Sequence, residues 1–230
     1  MTGSCMRGSI PGMSAFMSEA VDRYLTERAQ SEHGDALLVE MEARAKEHGF
    51  PIVGRASGRY LELAARSIQA RRVMELGSGY GYSAYWFTRA VGPTGHVVCT
   101  DGSQDNRDLA EGYLTRAGVW DRVTYRVGDA LEGFAQEDGE FDVVYCDVDK
   151  GGYPDCWRAA RDRVRVGGLY LCDNTLWDGR VADGSDRPGM EGRGWTAAIV
   201  EHNHLVAEDP RYVSSIVPIR DGILVALRIS

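Results

Sequence analysis

The sequence predicts an α/β domain on a mostly parallel sheet that ends in an antiparallel hairpin. Three observations predict it. From Arg72 onward, short apolar runs alternate with helical segments, the order produced when a parallel sheet is covered on both faces. A glycine-rich turn, Gly77-Ser78-Gly79-Tyr80-Gly81, directly follows the first of those runs. The last two apolar runs are joined only by Pro218-Ile219-Arg220-Asp221-Gly222, too short for a parallel crossover, so they pair antiparallel.

Residues 14–31 place Phe16, Ala20, Tyr24 and Ala29 on one helical face, and residues 34–47 do the same with Leu37, Leu38, Met41 and Ala45. His48-Gly49 closes the second helix. After a loop with Pro and Gly, Ser57 reads as the N-cap of a third helix running to Gln69. Strands follow at 73–76, 96–100, 123–127, 141–146 and 169–172, separated by helices near 82–91, 104–117, 129–136 and 154–164. A helix near 194–207 precedes the hairpin strands 212–217 and 223–229. No internal repeat appears, and 184–194 is the one long loop-like stretch. The expected organisation is a flexible leader over 1–13 and a single domain over 14–230, with helices over 14–70 and the sheet core over 71–230.

The chain has 230 residues, 43% hydrophobic and 26% charged, the profile of a globular domain with a sizeable core. A net charge of -8 argues against a nucleic-acid partner, which needs a basic surface. No apolar run approaches the roughly 20 residues of a membrane span. Residues 1–13 lack the apolar core of a signal peptide. The five cysteines form no C-x-x-C pair, and Cys99, Cys146 and Cys172 fall in apolar strands, so a reducing compartment, the cytoplasm, is expected. Of 26 basic residues only Lys46 and Lys150 are lysine. Lys46 lies on the polar side of a helix, whereas Lys150 stands between carboxylates and a glycine pair.

The glycine-rich turn lets backbone approach a ligand at the carboxyl end of the sheet, although alone it equally fits a tight βα turn. The second strand ends at Asp101, where a carboxylate can accept from both ribose hydroxyls. The spacing G-x-G-x-G departs from the dinucleotide pattern and no basic residue for a pyrophosphate is evident. A ligand with a ribose and no phosphates, such as S-adenosylmethionine, fits better. Asp129-Ala130, after the third strand, stands where an adenine would be edged. Strands four and five end in Asp147-Val148-Asp149-Lys150 and Asp173-Asn174. Neighbouring parallel tips lie about 5 Å apart, so Asp147, Asp173 and Asn174 converge as an all-oxygen donor set suited to a hard cation. Asp173-Asn174 equally suits a turn cap.

These residues resemble the cation-dependent O-methyltransferases of the caffeoyl-CoA and catechol O-methyltransferase type, from about Phe50 to the C-terminus. The carrying segments are Glu75-Leu76-Gly77-Ser78-Gly79-Tyr80-Gly81-Tyr82-Ser83 and Asp147-Val148-Asp149-Lys150-Gly151-Gly152-Tyr153. The third is Gly167-Gly168-Leu169-Tyr170-Leu171-Cys172-Asp173-Asn174-Thr175-Leu176-Trp177, joined by Asp209-Pro210-Arg211 and Pro218-Ile219-Arg220-Asp221-Gly222. The resemblance implies the Rossmann-like class I S-adenosylmethionine methyltransferase fold with seven strands, as a homodimer. It places Val53, Glu75, Gly77, Ser78, Ser83, Asp101, Asp129, Ala130 and Asp147 at the cofactor. Asp147, Asp173 and Asn174 become ligands of Mg²⁺ or another divalent cation such as Mn²⁺ or Ca²⁺. Lys150 becomes the catalytic lysine, and Trp177 a wall over a small aromatic hydroxyl substrate, unless it serves the core alone.

Three departures stand out: Tyr80 before Gly81, the unmatched stretch 182–194, expected to border the substrate, and the N-terminal segment. In mechanism, both vicinal oxygens of a catechol would bind the cation, with Lys150 accepting or guiding the proton; a salt bridge to Asp149 or Asp155 is the structural alternative for that lysine. His202 and His204 read as surface residues, since helical positions two apart diverge. Two rival readings remain: methylation of a hydroxylated uridine in tRNA, needing a basic rim from Arg55, Arg59, Arg66, Arg71 and Arg72, and a non-catalytic cofactor-binding module.

Overall fold

The computed structural model of the chain describes residues 19–30 and 35–230. The expected leader over 1–13, and Phe16 with the start of the first helix, lie outside the described residues.

Three helices come first: α1 (Glu19–Gln30), α2 (Ala36–His48) and α3 (Gly54–Ser67). Asp35 starts α2, its Oδ1 accepting from the Leu37 and Leu38 amides at 3.1 and 3.4 Å. Gly49, in the left-handed region, ends it. The third helix corrects the sequence reading. It begins at Gly54, three residues before Ser57, without a side-chain cap, and Ser57 is buried within it. Gly54, at φ 71°, turns the chain straight from the loop into the helix, so no hydroxyl cap is used.

The sheet core comprises β1 (Arg72–Leu76), α4 (Tyr82–Val91), β2 (His96–Asp101), α5 (Gln104–Arg116), β3 (Val123–Val127) and α6 (Ala130–Ala135), then β4 (Phe141–Cys146), α7 (Tyr153–Ala160) and β5 (Val164–Cys172). It closes with α8 (Trp195–Ala207), β6 (Tyr212–Val217) and β7 (Ile223–Arg228). The strands form one seven-stranded sheet in the order β3-β2-β1-β4-β5-β7-β6. The first five are parallel, and β7 pairs antiparallel with both β5 and β6, as the short connection required. β5 begins five residues earlier than expected, at Val164, and α7 is correspondingly shorter.

Side chains alternate across the sheet and divide the core into two layers. Val73, Val97, Cys99, Val143 and Leu171 pack against α2, α3 and α4. Met74, Val98, Val144, Cys146 and Cys172 pack against α6, α7 and α8. Strand order reverses between β1 and β4, and in an open α/β sheet a crevice opens outside the carboxyl ends of the strands at that point.

Candidate active site

A cavity of about 1720 Å³ occupies that crevice. Every residue singled out for cofactor, metal, catalysis or substrate lines it except Glu75, which lies directly beneath.

One end is formed by the β1–α4 turn. A Cβ on Gly77 would sit 2.4 Å from the Asp147 carbonyl, so only glycine lets the tips of β1 and β4 meet here. The Gly77 and Ser78 amides donate to the Thr100 carbonyl at 3.1 and 2.8 Å, tying the turn to β2. Asp101 is fixed in place: its Oδ2 accepts from the Gly79 amide at 3.0 Å, and its Oδ1 from the Ser103 amide and the Asn106 side chain, both at 2.9 Å. Asp129 caps α6, its Oδ1 accepting from the Leu131 and Glu132 amides at 2.9 Å, so the residue expected to edge an adenine also shapes the helix. Val53 is buried at the start of α3, and Ser83 is buried in the first turn of α4. Tyr80, the departure in the glycine turn, has a role of its own: its hydroxyl donates to the Met41 carbonyl at 2.8 Å and its ring packs on Phe50, locking α2 over the turn.

Glu75 is fully buried beneath the turn, receiving the Ser78 hydroxyl on Oε2 at 2.6 Å while Oε1 has no protein partner. Burial pushes its carboxyl up to about 7, against the opposing hydrogen bonds of Ser78, Ser83 and Cys99.

The other end gathers the charges of β4 and β5. Cys146 and Cys172 are register partners, so Asp147 and Asp173 follow them side by side. Burial and the Asp147 charge raise the Asp173 carboxyl to about 7, with Arg220 and Lys150 acting against them. Asp147 is raised by burial too, and Lys150 opposes this. The Lys150 Nζ donates to Asp147 Oδ1 at 2.9 Å and to the Val148 carbonyl at 3.3 Å. Lys150 therefore pairs with Asp147, not with Asp149 or Asp155. Burial depresses its ammonium, but Asp147 outweighs this and holds it above its ordinary value. Its Nζ also lies 5.1 Å from the Tyr153 ring centroid, and the Tyr153 hydroxyl donates to the Asp173 carbonyl at 2.9 Å. Asn174 holds φ 53°, a left-handed conformation asparagine tolerates better than most. Among the described residues no three His, Cys, Asp or Glu side chains cluster as a metal site; the donors here are two carboxylates and an amide.

Trp177 is 3% exposed in the core and also lines the cavity, its ring 6.1 Å from that of Trp195. From the 182–194 stretch, Arg187 and Met190 line the cavity, as expected of a substrate border. Sequence reasoning missed Trp195, Arg220 and Asp221 as wall residues. Asp221-Gly222 had signalled only a hairpin turn, and the others carried no spacing signal.

His202 corrects the sequence reading. It is fully buried on α8, its Nε2 3.0 Å from the Tyr170 hydroxyl, because its turn of α8 faces β5; His204 is exposed as expected. The proposed basic rim also fails to form. Arg55 binds Glu42, Arg59 and Arg66 bind Glu62, Arg72 binds Glu137, the Arg71 side chain binds Thr94, and none of the five lines the cavity.

A family model described as O-methyltransferase matches residues 29–229. A caffeoyl-CoA O-methyltransferase from Petroselinum crispum is 28% identical over 99% of this chain and 98% of its own. One from Eucalyptus gunnii is 30% identical over 94% and 90%. Among solved structures, the O-methyltransferase TomG from Streptomyces achromogenes, involved in tomaymycin synthesis and solved in complex with SAM, superposes with a TM-score of 0.81 at 26% identity, covering 93% of this chain and 100% of its own. An O-methyltransferase from Bacillus cereus in complex with SAH gives 0.79 at 28% identity, covering 91% and 97%. With the family matched across nearly its whole length, this chain belongs to the O-methyltransferase family and is an S-adenosylmethionine-dependent O-methyltransferase.

Proposed function

We propose that this enzyme methylates one hydroxyl of a vicinal pair on a small catechol-like aromatic, with a divalent cation (Mg²⁺, or another such as Mn²⁺ or Ca²⁺) held by Asp147, Asp173 and Asn174. The observation that carries the reading is the meeting of buried Asp173 and half-buried Asp147 at adjacent strand tips, both raised by desolvation, with Lys150 beside them. Two such groups ionise together only when a positive charge lies between them, and an all-oxygen donor set fits a hard cation. When bound, the cation supplies a Lewis-acidic charge that lowers the pKa of a hydroxyl, and S-adenosylmethionine supplies an electrophilic methyl group.

The protein's own residues account for the rest. Asp101, held by three donors, presents its carboxylate to the ribose. Asp129 and Ala130 edge the adenine, while Val53, Glu75, Gly77, Ser78, Ser83 and Asp147 shape the remainder of the cofactor site. Lys150, an ammonium while Asp147 holds it, would donate from Nζ to the acceptor oxygen, and could take that oxygen's proton only with its pKa lowered by a cation bound at Asp147. Trp177 confines a flat ring beside Asp173 and excludes water, so the oxygen stays at attacking distance. The free, buried cysteines Cys99, Cys146, Cys156 and Cys172 support a cytoplasmic setting. Among the described residues no helix is long and apolar enough to cross a membrane. The homodimer extends the proposal on the strength of the family resemblance.

The test is methyl transfer from labelled S-adenosylmethionine to a panel of catechols, with Mg²⁺ and with EDTA. Metal-dependent product, abolished in Asp147→Ala and reduced about 10²–10⁴-fold in Lys150→Ala, is expected. Product that persists in EDTA refutes the metal. Cofactor binding without methylation of any catechol refutes the acceptor.

A further inference from the structure

The curated relatives carry the name caffeoyl-CoA O-methyltransferase, and an acyl-coenzyme A brings several phosphate charges to its enzyme. The wall around the acceptor in this chain has the wrong charge for such a guest. The carboxylates of Asp147, Asp149, Asp155, Asp173, Asp178 and Asp221 line that end of the cavity. Among the described residues, the cations at that end are Lys150, Arg187 and Arg220.

Each of the three is already committed. Lys150 bonds Asp147 at 2.9 Å. Arg187 is held between two carboxylates, with Nε 2.7 Å from Asp178 and Nη1 3.7 Å from Asp221, and its guanidinium lies 4.5 Å from the Trp177 ring centroid. Arg220 donates to the Ile52 carbonyl at 2.8 Å, and its charge acts on Asp147 and Asp173 without forming an ion pair with either. Lys46 belongs to α2 at the opposite end, where Phe50 packs against Gly79. In the bordering loop, Arg180 binds Ser185 and Arg193 stacks on Trp195 outside the cavity lining, with Asp183, Asp186 and Glu191 close by in sequence. Among the described residues, Asp155 alone of the six wall carboxylates has an outside partner, Arg158. With a divalent cation and the cofactor's sulfonium seated, the wall as a whole is near neutral, and the imbalance left beside the rings is Asp178 and Asp221 sharing the single Arg187. Rings meet the acceptor here, at Trp177 and Trp195, and they accept a flat apolar or cationic guest.

We infer that the acceptor is a small planar aromatic that is neutral or positively charged, and that free carboxylic acids and acyl-coenzyme A thioesters are disfavoured by the acidic wall. The inference rests on the catechol reading above. Specificity arises here from repulsion: an anion entering would face Asp178 and Asp221 with no uncommitted cation to meet it.

A series of catechols with one ring and different tails tests this with Mg²⁺ and labelled S-adenosylmethionine: a primary amine, an alcohol, a free acid and a coenzyme A thioester. The expected result is a kcat/KM at least about tenfold higher for the amine and alcohol than for the acid, with the thioester no better than the acid. Asp178→Asn, which releases Arg187 from its nearer partner, is expected to raise the acid-to-alcohol ratio of kcat/KM several-fold. Preference for the acid or the thioester in the wild-type enzyme overturns the inference and leaves the catechol reading standing. Turnover of none of the four overturns both.

Discussion

Replacing Glu75 with glutamine isolates what burial does to the floor of the site. The side chain is fully buried, one oxygen has no partner, and burial carries its carboxyl from an ordinary 4.5 to about 7. A group raised in the folded state adds its full stability below the unfolded pKa and loses it as pH climbs through the folded value. The wild-type protein therefore gives up stability between pH 4.5 and 7 through this residue. At 1.36 kcal/mol per unit, the loss amounts to about 3 kcal/mol once the pH is well above 7. Glutamine has nearly the same shape, can still accept from the Ser78 hydroxyl, and cannot ionise. Urea unfolding without ligand, at pH 5 and pH 8, should show Glu75→Gln gaining about 2–3 kcal/mol on wild type between the two conditions. Asp173 titrates in the same window, but it does so in both proteins and drops out of the difference. A difference that does not change with pH would mean the substitution acts through packing and would refute the reasoning.

Three further outcomes are expected. Gly58→Ala would ordinarily help a helix, but the added Cβ would lie 2.2 Å from Trp86 Nε1, so overpacking of about 1–3 kcal/mol should win and lower the melting temperature. Asn174→Gly keeps the left-handed backbone and removes the amide; a Mg²⁺ titration of activity should need more metal while stability is nearly unchanged, whereas Asn174→Ala should also cost about 1 kcal/mol in strain. Burial depresses His202 below 6.5, so its contribution is present above that value and lost as pH falls below it. His202→Ala should leave the Tyr170 hydroxyl unpaired, costing about 1–3 kcal/mol at pH 7.5, with a smaller penalty at pH 5 by chemical denaturation.

The succession of strands and helices along the chain and the residues at the carboxyl ends of the strands were legible in sequence because both obey short-range rules. Short apolar runs mark buried parallel strands, and in a parallel sheet every strand tip feeds the same crevice, so Asp101, Asp129, Asp147 and Asp173 could be placed together without knowing any distance. The failures are those of tertiary context. Ser57 looks like a cap because hydroxyls often are caps, but Gly54 starts the helix earlier. His202 looks like a surface residue until α8 packs on β5, a contact that no local pattern encodes. Trp195 and Arg220 reach the cavity from separate segments, and only the folded chain brings them to one wall.

The same wall shows how this site differs from a stable core. A packed interior would replace Glu75, Asp147 and Asp173 with apolar side chains of similar volume and gain stability, since buried carboxyls without full partners cost free energy. Here the cost falls on residues at the tips of adjacent central strands, where the backbone is held on both sides and cannot relax away from the strain. Lys150 and Arg220 offset only part of it, since both act to lower Asp147 and Asp173 and yet both carboxyls stay raised. An added positive charge is the perturbation to which such a floor responds most strongly. A divalent cation between Asp147 and Asp173 should therefore raise the unfolding midpoint more at pH 8 than at pH 5, where protons already compete for the same oxygens. Equal stabilisation by Mg²⁺ at both values would place the ion elsewhere.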